Sequence, residues 1–202
     1  MTPIPVNLAI EDELSEVVLR RLLAHAERGY AVGNAYGRSG YGYLKRTISG
    51  WNRAARSIPF VVLTDLDDND CAATLIENWL TEPRHPNLIF RVAVREVESW
   101  LLAGKSELAK FLQCPERTIP DRPDALSDPK RSLVESARAS RSAAIRSRLV
   151  PKKGSTAKQG PDYNACLGAF VRTHWVIGAA AANSPSLARA VRRFHAFDPA
   201  WR

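Results

Sequence analysis

Cysteine is scarce and scattered in this chain of 202 residues: Cys71, Cys114 and Cys166 are odd in number and far apart. With no C-x-x-C pair among them, neither a zinc ribbon nor a redox dithiol is indicated, and free thiols are the expectation. His25, His85, His174 and His195 are equally dispersed, and no two have metal-ligand spacing. Apolar runs are short, the longest falling far below the length of a membrane span. A charged stretch followed by an apolar one, the mark of a secretory signal, is not seen at the start of the sequence. A phosphate loop is missing too. Gly104-Lys105-Ser106 imitates the end of that motif, but Ser99 occupies the place of its first glycine, and a helix rather than a strand is predicted before it. Ser106 reads instead as the N-cap of a helix from Glu107 to Leu112, with Gly104 closing the helix before it. No internal repeat is visible. These absences make a soluble, cytoplasmic protein the expectation.

Positive charge is present in excess. The formal net charge is +8 and the sequence pI is about 9.8, which favours an anionic partner, nucleic acid first. The excess is concentrated in 130–158, where Lys130, Arg131, Arg138, Arg141, Arg146, Arg148, Lys152, Lys153 and Lys158 face Glu135 as the lone acid. A mobile basic loop around Gly154–Gly160 suits phosphate contact, because each neutralised phosphate releases counterions. A solvated loop has the same composition.

The most informative stretch is Ile58-Pro59-Phe60-Val61-Val62-Leu63-Thr64-Asp65-Leu66-Asp67-Asp68-Asn69-Asp70. Its apolar first half reads as a strand buried on both faces, as in parallel sheets. Its acidic end then falls at the carboxyl edge, where open α/β sheets bind ligands. Residues i and i+2 of a strand share a side, so Asp65 and Asp67 can face one site. Two such carboxylates repel unless a proton or cation lies between them, and Mg²⁺ suits oxygen ligands. Aspartates after strands also serve as turns and caps, and Asp70 fits the N-cap of a helix from Cys71 to Leu80.

Two further strands end in acids. Ile4–Ile10 runs into Glu11-Asp12-Glu13 and a helix reaching about Arg28. Beside the Asp65 strand, Glu11 would meet Asp65 and Asp67; the same acids also favour the positive end of the helix dipole. Leu88–Val94 is followed by Arg95-Glu96-Val97-Glu98-Ser99-Trp100-Leu101-Leu102. Glu98 precedes an apolar run, and a carboxylate beside buried surface needs a partner. A metal, Arg91, Arg95 or a backbone cap would each serve.

Between Gly29 and Gly42 a short strand at Ala31-Val32-Gly33 is followed by a loop. There Tyr36, Tyr41 and Tyr43, with Arg38, either pack the loop or stack on nucleic acid. A helix follows over Tyr43–Arg56. Strands alternating with helices predict an α/β fold with a mainly parallel sheet. Pro115, Pro120, Pro123 and Pro129 mark a boundary, giving an α/β core over 1–114 and a basic, mainly helical C-terminal region over 115–202 packed on it. In that region helices are predicted over Asp162–Trp175 and after Pro185, capped by Asn183 or Ser184.

The order strand–Glu, strand–Asp-x-Asp, strand–Glu, carried by Ala9-Ile10-Glu11 and Leu63-Thr64-Asp65-Leu66-Asp67, resembles the Toprim domain of primases, topoisomerases and overcoming-lysogenization-defect (OLD) nucleases. Further blocks resemble the DUF4276 type of Toprim-like protein: Val94 to Leu102, Asp128-Pro129-Lys130, Gly160-Pro161-Asp162-Tyr163-Asn164 and Ser184-Pro185-Ser186-Leu187. The resemblance implies that Asp65 and Asp67 hold Mg²⁺ (or Mn²⁺). It implies that Glu11 acts in acid–base chemistry or holds a second metal, that Glu98 joins the metal site, and that Lys130 is the downstream catalytic lysine. Ser15 stands where OLD-type enzymes tend to carry a second acid, which counts against a full two-metal site. The implied activity is metal-dependent phosphodiester hydrolysis on DNA or RNA, beside an ATPase, in phage defence or DNA repair. Two rivals share these features: a non-catalytic nucleic-acid-binding or sensor partner of an ATPase, and phosphoryl transfer on a small phosphate.

Overall fold

The computed structural model describes residues 2–37 and 39–201. Strands and helices alternate as β1 (Ile4–Ile10), α1 (Glu13–His25), β2 (Tyr30–Gly37), α2 (Tyr41–Ala54), β3 (Phe60–Asp65), α3 (Ala72–Trp79) and β4 (Leu88–Ala93). The strands form one sheet in the order β2-β1-β3-β4, and every neighbouring pair is parallel. Strand alternation sends Phe60, Val62, Leu88, Phe90 and Val92 to one face, where Leu44, Ile48 and Trp51 of α2 and Leu75 and Trp79 of α3 cover them. Leu8, Ile10, Val61 and Leu63 on the opposite face are fully buried. This is the α/β class with a parallel sheet flanked by helices.

The strand order decides where chemistry can occur. The chain leaves β1 toward β2 on one side and returns to β3 on the other, so the topological switch lies between β1 and β3. In such sheets the crevice at the carboxyl ends of the switch-point strands receives ligands.

β2 is longer than the predicted Ala31–Gly33, because it pairs with β1 along its length. The ladder is irregular between Val6 and Leu8, and there the Asn34 N–H donates to Asn7 Oδ1 at 2.9 Å. The tyrosines pack. Tyr36 stacks on Phe60 with ring centroids 6.0 Å apart, Tyr41 meets Trp79 edge-on at 4.8 Å and Tyr43 meets Trp51 at 5.9 Å. Arg38, expected to act with them, lies outside the described residues. The α3 N-cap is Cys71, not Asp70: Cys71 is extended, and its Sγ accepts the Thr74 N–H at 3.4 Å.

The chain divides into two compact units, Met1–Val94 with Arg189–Arg202, and Arg95–Ala188. The predicted boundary between 114 and 115 coincides with neither edge. The reason is α4 (Val97–Ala103), every residue of which is buried. It packs against α6 (Pro129–Arg138), α9 (Ile177–Asn183) and the 3-10 turn Pro123–Ala125, so it is the centre of the second unit rather than the end of the first. Its Trp100 Nε1 donates to Ser186 Oγ at 2.7 Å, and Asp124 accepts from Ser184 Oγ at 2.6 Å and from the Ser186 N–H at 3.0 Å. The block Ser184 to Leu187 thus anchors α4 and caps α10 (Pro185–His195), as Ser184 Oγ accepts the Leu187 N–H at 3.2 Å. The other helices of this unit are α5 (Lys105–Leu112), α7 (Ala143–Leu149) and α8 (Tyr163–Thr173). The cap before α5 is Gly104, which also closes α4, and not Ser106. The last residues return to the first unit. Tyr30 Oη donates to the Phe194 carbonyl at 2.7 Å, Phe197 is fully buried, and Asn87 Oδ1 accepts the Ala200 N–H at 2.7 Å. Among the described residues no single helix is long and apolar enough to cross a membrane.

Candidate functional site

Three acids follow β1, and the structure separates their roles. Asp12 is the N-cap of α1, its Oδ1 accepting the Ser15 N–H at 2.8 Å. Glu13 is exposed in the first helical turn, where the dipole favours it. Glu11 does neither. Its Oε1 accepts the Asp65 N–H at 2.9 Å and a short hydrogen bond from Thr64 Oγ1. The first carboxylate after β1 is therefore bound to the end of β3, at the switch point.

Burial is the main cause that raises the Glu11 pKa above the usual carboxylate range; the bonds from Thr64 and Asp65 oppose it, and the negative charges of Asp67 and Asp12 add to it. The sign follows. A carboxyl whose folded pKa lies above its unfolded value contributes stability at low pH, and that stability is lost as pH rises through the folded pKa. A cation beside Glu11 would favour its charged form and so oppose the effect of burial.

Asp65 closes β3, paired in register with Ala93 and half-buried. Asp67 does not continue the strand, so the i, i+2 rule does not orient it. After Asp65 the chain turns: Leu66 is buried, its N–H bonded to the Ala93 carbonyl at 2.9 Å, and the Asn69 N–H returns to the Leu66 carbonyl at 3.0 Å. Asp67 sits at φ 47°, a left-handed conformation that costs a non-glycine residue about 1 kcal/mol. The turn leaves Asp67 exposed yet close enough to act on Glu11.

The donor set at this edge is oxygen alone, which suits a hard cation. Among the described residues no group of three or more His, Cys, Asp or Glu side chains is arranged to hold a metal. Mg²⁺ keeps most of its water and is commonly held by one or two carboxylates. Oxygen donors on one or two carboxylates are the kind of set that a largely hydrated Mg²⁺ takes.

Glu98 and Lys130, named from the sequence, lie together in the second unit. Glu98 is 3% exposed; its Oε1 accepts from Tyr163 Oη at 3.2 Å and lies 3.6 Å from Lys130 Nζ. Glu96 joins them: its Oε2 accepts the Lys130 N–H at 2.8 Å, and its Oε1 stands 4.0 Å from Nζ. These bonds fix the start of α6, whose N-cap Asp128 accepts the Arg131 N–H at 2.8 Å. No local pattern marks Glu96 or Tyr163 as members of this cluster, although both lie in blocks that carry the family resemblance, Val94 to Leu102 and Gly160 to Asn164. Because Lys130 bridges two carboxylates, one of them buried, Lys130→Met should lower stability by about 2 kcal/mol. A thermal melt measures this; a change within about 0.5 kcal/mol would instead make Lys130 an ordinary surface cation.

Fold and site define an α/β protein with carboxylates at the switch point of a parallel sheet. No protein-family model, curated protein or solved structure matches the chain.

Proposed function

We propose that this protein is a Mg²⁺-dependent nuclease of the Toprim type that hydrolyses phosphodiester bonds in DNA or RNA. The observation that supports this best is the attachment of Glu11 to Thr64 and Asp65, which brings acids of β1 and β3 to one switch point. Asp65 and Asp67 would hold Mg²⁺ or Mn²⁺ with water. When bound, the cation supplies Lewis-acid polarisation of a phosphoryl oxygen and activation of water. Glu11, held by two donors and raised in pKa by burial, is suited to hold and pass a proton. Glu98 and Lys130, the further ligand and the catalytic lysine that the resemblance implies, lie in the second unit, where they pair with each other. The exposed basic stretch 152–158 would contact backbone phosphates without reading sequence. The proposed setting is the cytoplasm, beside an ATPase, in phage defence or DNA repair.

One observation favours a second reading, a non-catalytic nucleic-acid-binding partner of an ATPase: among the described residues no group of three potential ligands converges. Incubation of the purified protein with supercoiled plasmid, single-stranded DNA and RNA in Mg²⁺, Mn²⁺ or EDTA separates the two. The nuclease gives nicked or shortened product only with metal. Binding that persists in EDTA, with no product under any metal, would establish the second reading instead.

A further inference from the structure

The first unit holds a second concentration of charge that the carboxylate edge does not use. Arg91 lies on β4, the edge strand, in register with Leu63. Alternation turns it away from the face of Leu88, Phe90 and Val92. It is half-buried, and its Nε is buried without a hydrogen-bond partner among the described residues. Burial first, then the charges of Arg189, Arg84, Arg193 and Arg192, push its pKa down to about 10.

Those arginines are held on fixed supports. Arg189, Arg192 and Arg193 stand at i, i+3 and i+4 on α10, hence on one face of it, where like charges repel. Arg193 Nη2 donates to the Pro86 carbonyl at 3.4 Å, and its guanidinium lies 5.2 Å from the Phe197 ring centre. The segment bearing Arg84 is tied on both sides: Asn52 Nδ2 donates to the Pro83 carbonyl at 3.1 Å, and Asn52 Oδ1 accepts the His85 N–H at 2.8 Å. Arg192 and Arg193 in the last helical turn suit the helix dipole. That does not account for Arg189, Arg84 or a guanidinium planted on a strand. Guanidinium groups gathered on rigid supports, one with a buried N–H unmet, match the paired acceptor oxygens of a phosphate.

We propose that Arg84, Arg91, Arg189, Arg192 and Arg193 form a phosphate-binding site, filled by a nucleic-acid backbone phosphate or by the phosphate of a small molecule. The site stands whether or not the carboxylate edge binds metal, so it can fail or hold independently of the nuclease reading.

The test uses the full chain in EDTA and three probes: inorganic phosphate and adenosine monophosphate by calorimetry, and fluorescein-labelled single- and double-stranded DNA by anisotropy across a salt series. Arg91→Met removes the strand guanidinium. The double variant Arg189→Ala/Arg192→Ala alters only exposed helix positions, so it reports even if Arg91→Met fails to fold. Lys152→Ala/Lys153→Ala makes the same change of charge on the exposed stretch of the second unit. A backbone site predicts that the arginine double variant loses about tenfold in DNA affinity and that its salt slope falls by about two. A small-phosphate site predicts loss of phosphate and monophosphate binding with the DNA slope unchanged. Unchanged binding of all three probes, or losses no larger than those of the lysine pair, would overturn the proposal.

Discussion

Asp65→Asn is expected to lower Mn²⁺-dependent nicking of supercoiled plasmid by on the order of 10²–10³-fold while leaving the fold intact. The magnitude follows from the position. Asp65 is the residue at which β3 ends, on the β1/β3 switch point, and its own N–H holds Glu11 in place at 2.9 Å. Asparagine keeps the volume, the main-chain donor and the ladder with Ala93, and removes only the charge that a hard cation requires. Calorimetry with Mn²⁺ in the absence of nucleic acid should show the same loss, which separates failure to bind the cation from failure to bind substrate. Retained Mn²⁺ binding and retained nicking in Asp65→Asn would remove this residue from the site. Retained binding with lost nicking would move the cation to Asp67 and Glu11 and leave Asp65 acting on the substrate.

Gly37→Ala should destabilise the protein by about 3 kcal/mol, the largest stability effect expected of any change this small. Gly37 has φ +113° and is paired in register with Ile10. A Cβ there would lie 2.0 Å from the Ile10 carbonyl oxygen, a main-chain atom that cannot turn aside. Both the conformation and the space exclude a side chain. The damage would fall beside the candidate site, because Glu11 follows Ile10 and its carbonyl accepts the Gly40 N–H at 3.1 Å. The same variant is therefore expected to bind Mn²⁺ more weakly than its fraction folded explains. Gly50→Ala is the control. Gly50 lies inside α2 with nothing within 4 Å of its Cβ position, so alanine there should stabilise by about 0.5–1 kcal/mol. Urea unfolding of the three proteins measures both changes. Equal effects at the two positions would mean that the β1–β2 ladder yields at Gly37.

Much of the architecture was legible from the residues themselves. The run Phe60 to Leu63 reads as a strand buried on both faces, and Ile4–Ile10 and Leu88–Ala93 follow from the same short apolar pattern. Helical spacing of Leu14, Val18, Leu19 and Leu22 marked α1, and Pro185 after Ser184 marked the start of α10. β2 was only partly legible, because its second half, Asn34-Ala35-Tyr36-Gly37, has no apolar run; pairing with β1 makes it a strand. The prolines between Pro115 and Pro129 do not mark an edge of either compact unit. Proline breaks the chain locally, whereas a compact unit is decided by which buried helix the other helices gather on, here α4.

The α/β class, the acids at the strand ends and the excess of positive charge follow from local residue patterns, because strand and helix periods and net charge are properties of neighbouring residues. Which charges meet depends on the folded chain. Glu11 reaches Thr64 across 53 positions, and Glu98 reaches Tyr163 across 65. Arg91 gathers arginines from another strand-flanking segment and from α10. Such meetings depend on strand order and helix packing, which no local pattern encodes. The left-handed Asp67 belongs with them, since its turn is held by a bond from Leu66 to the carbonyl of Ala93 on the next strand.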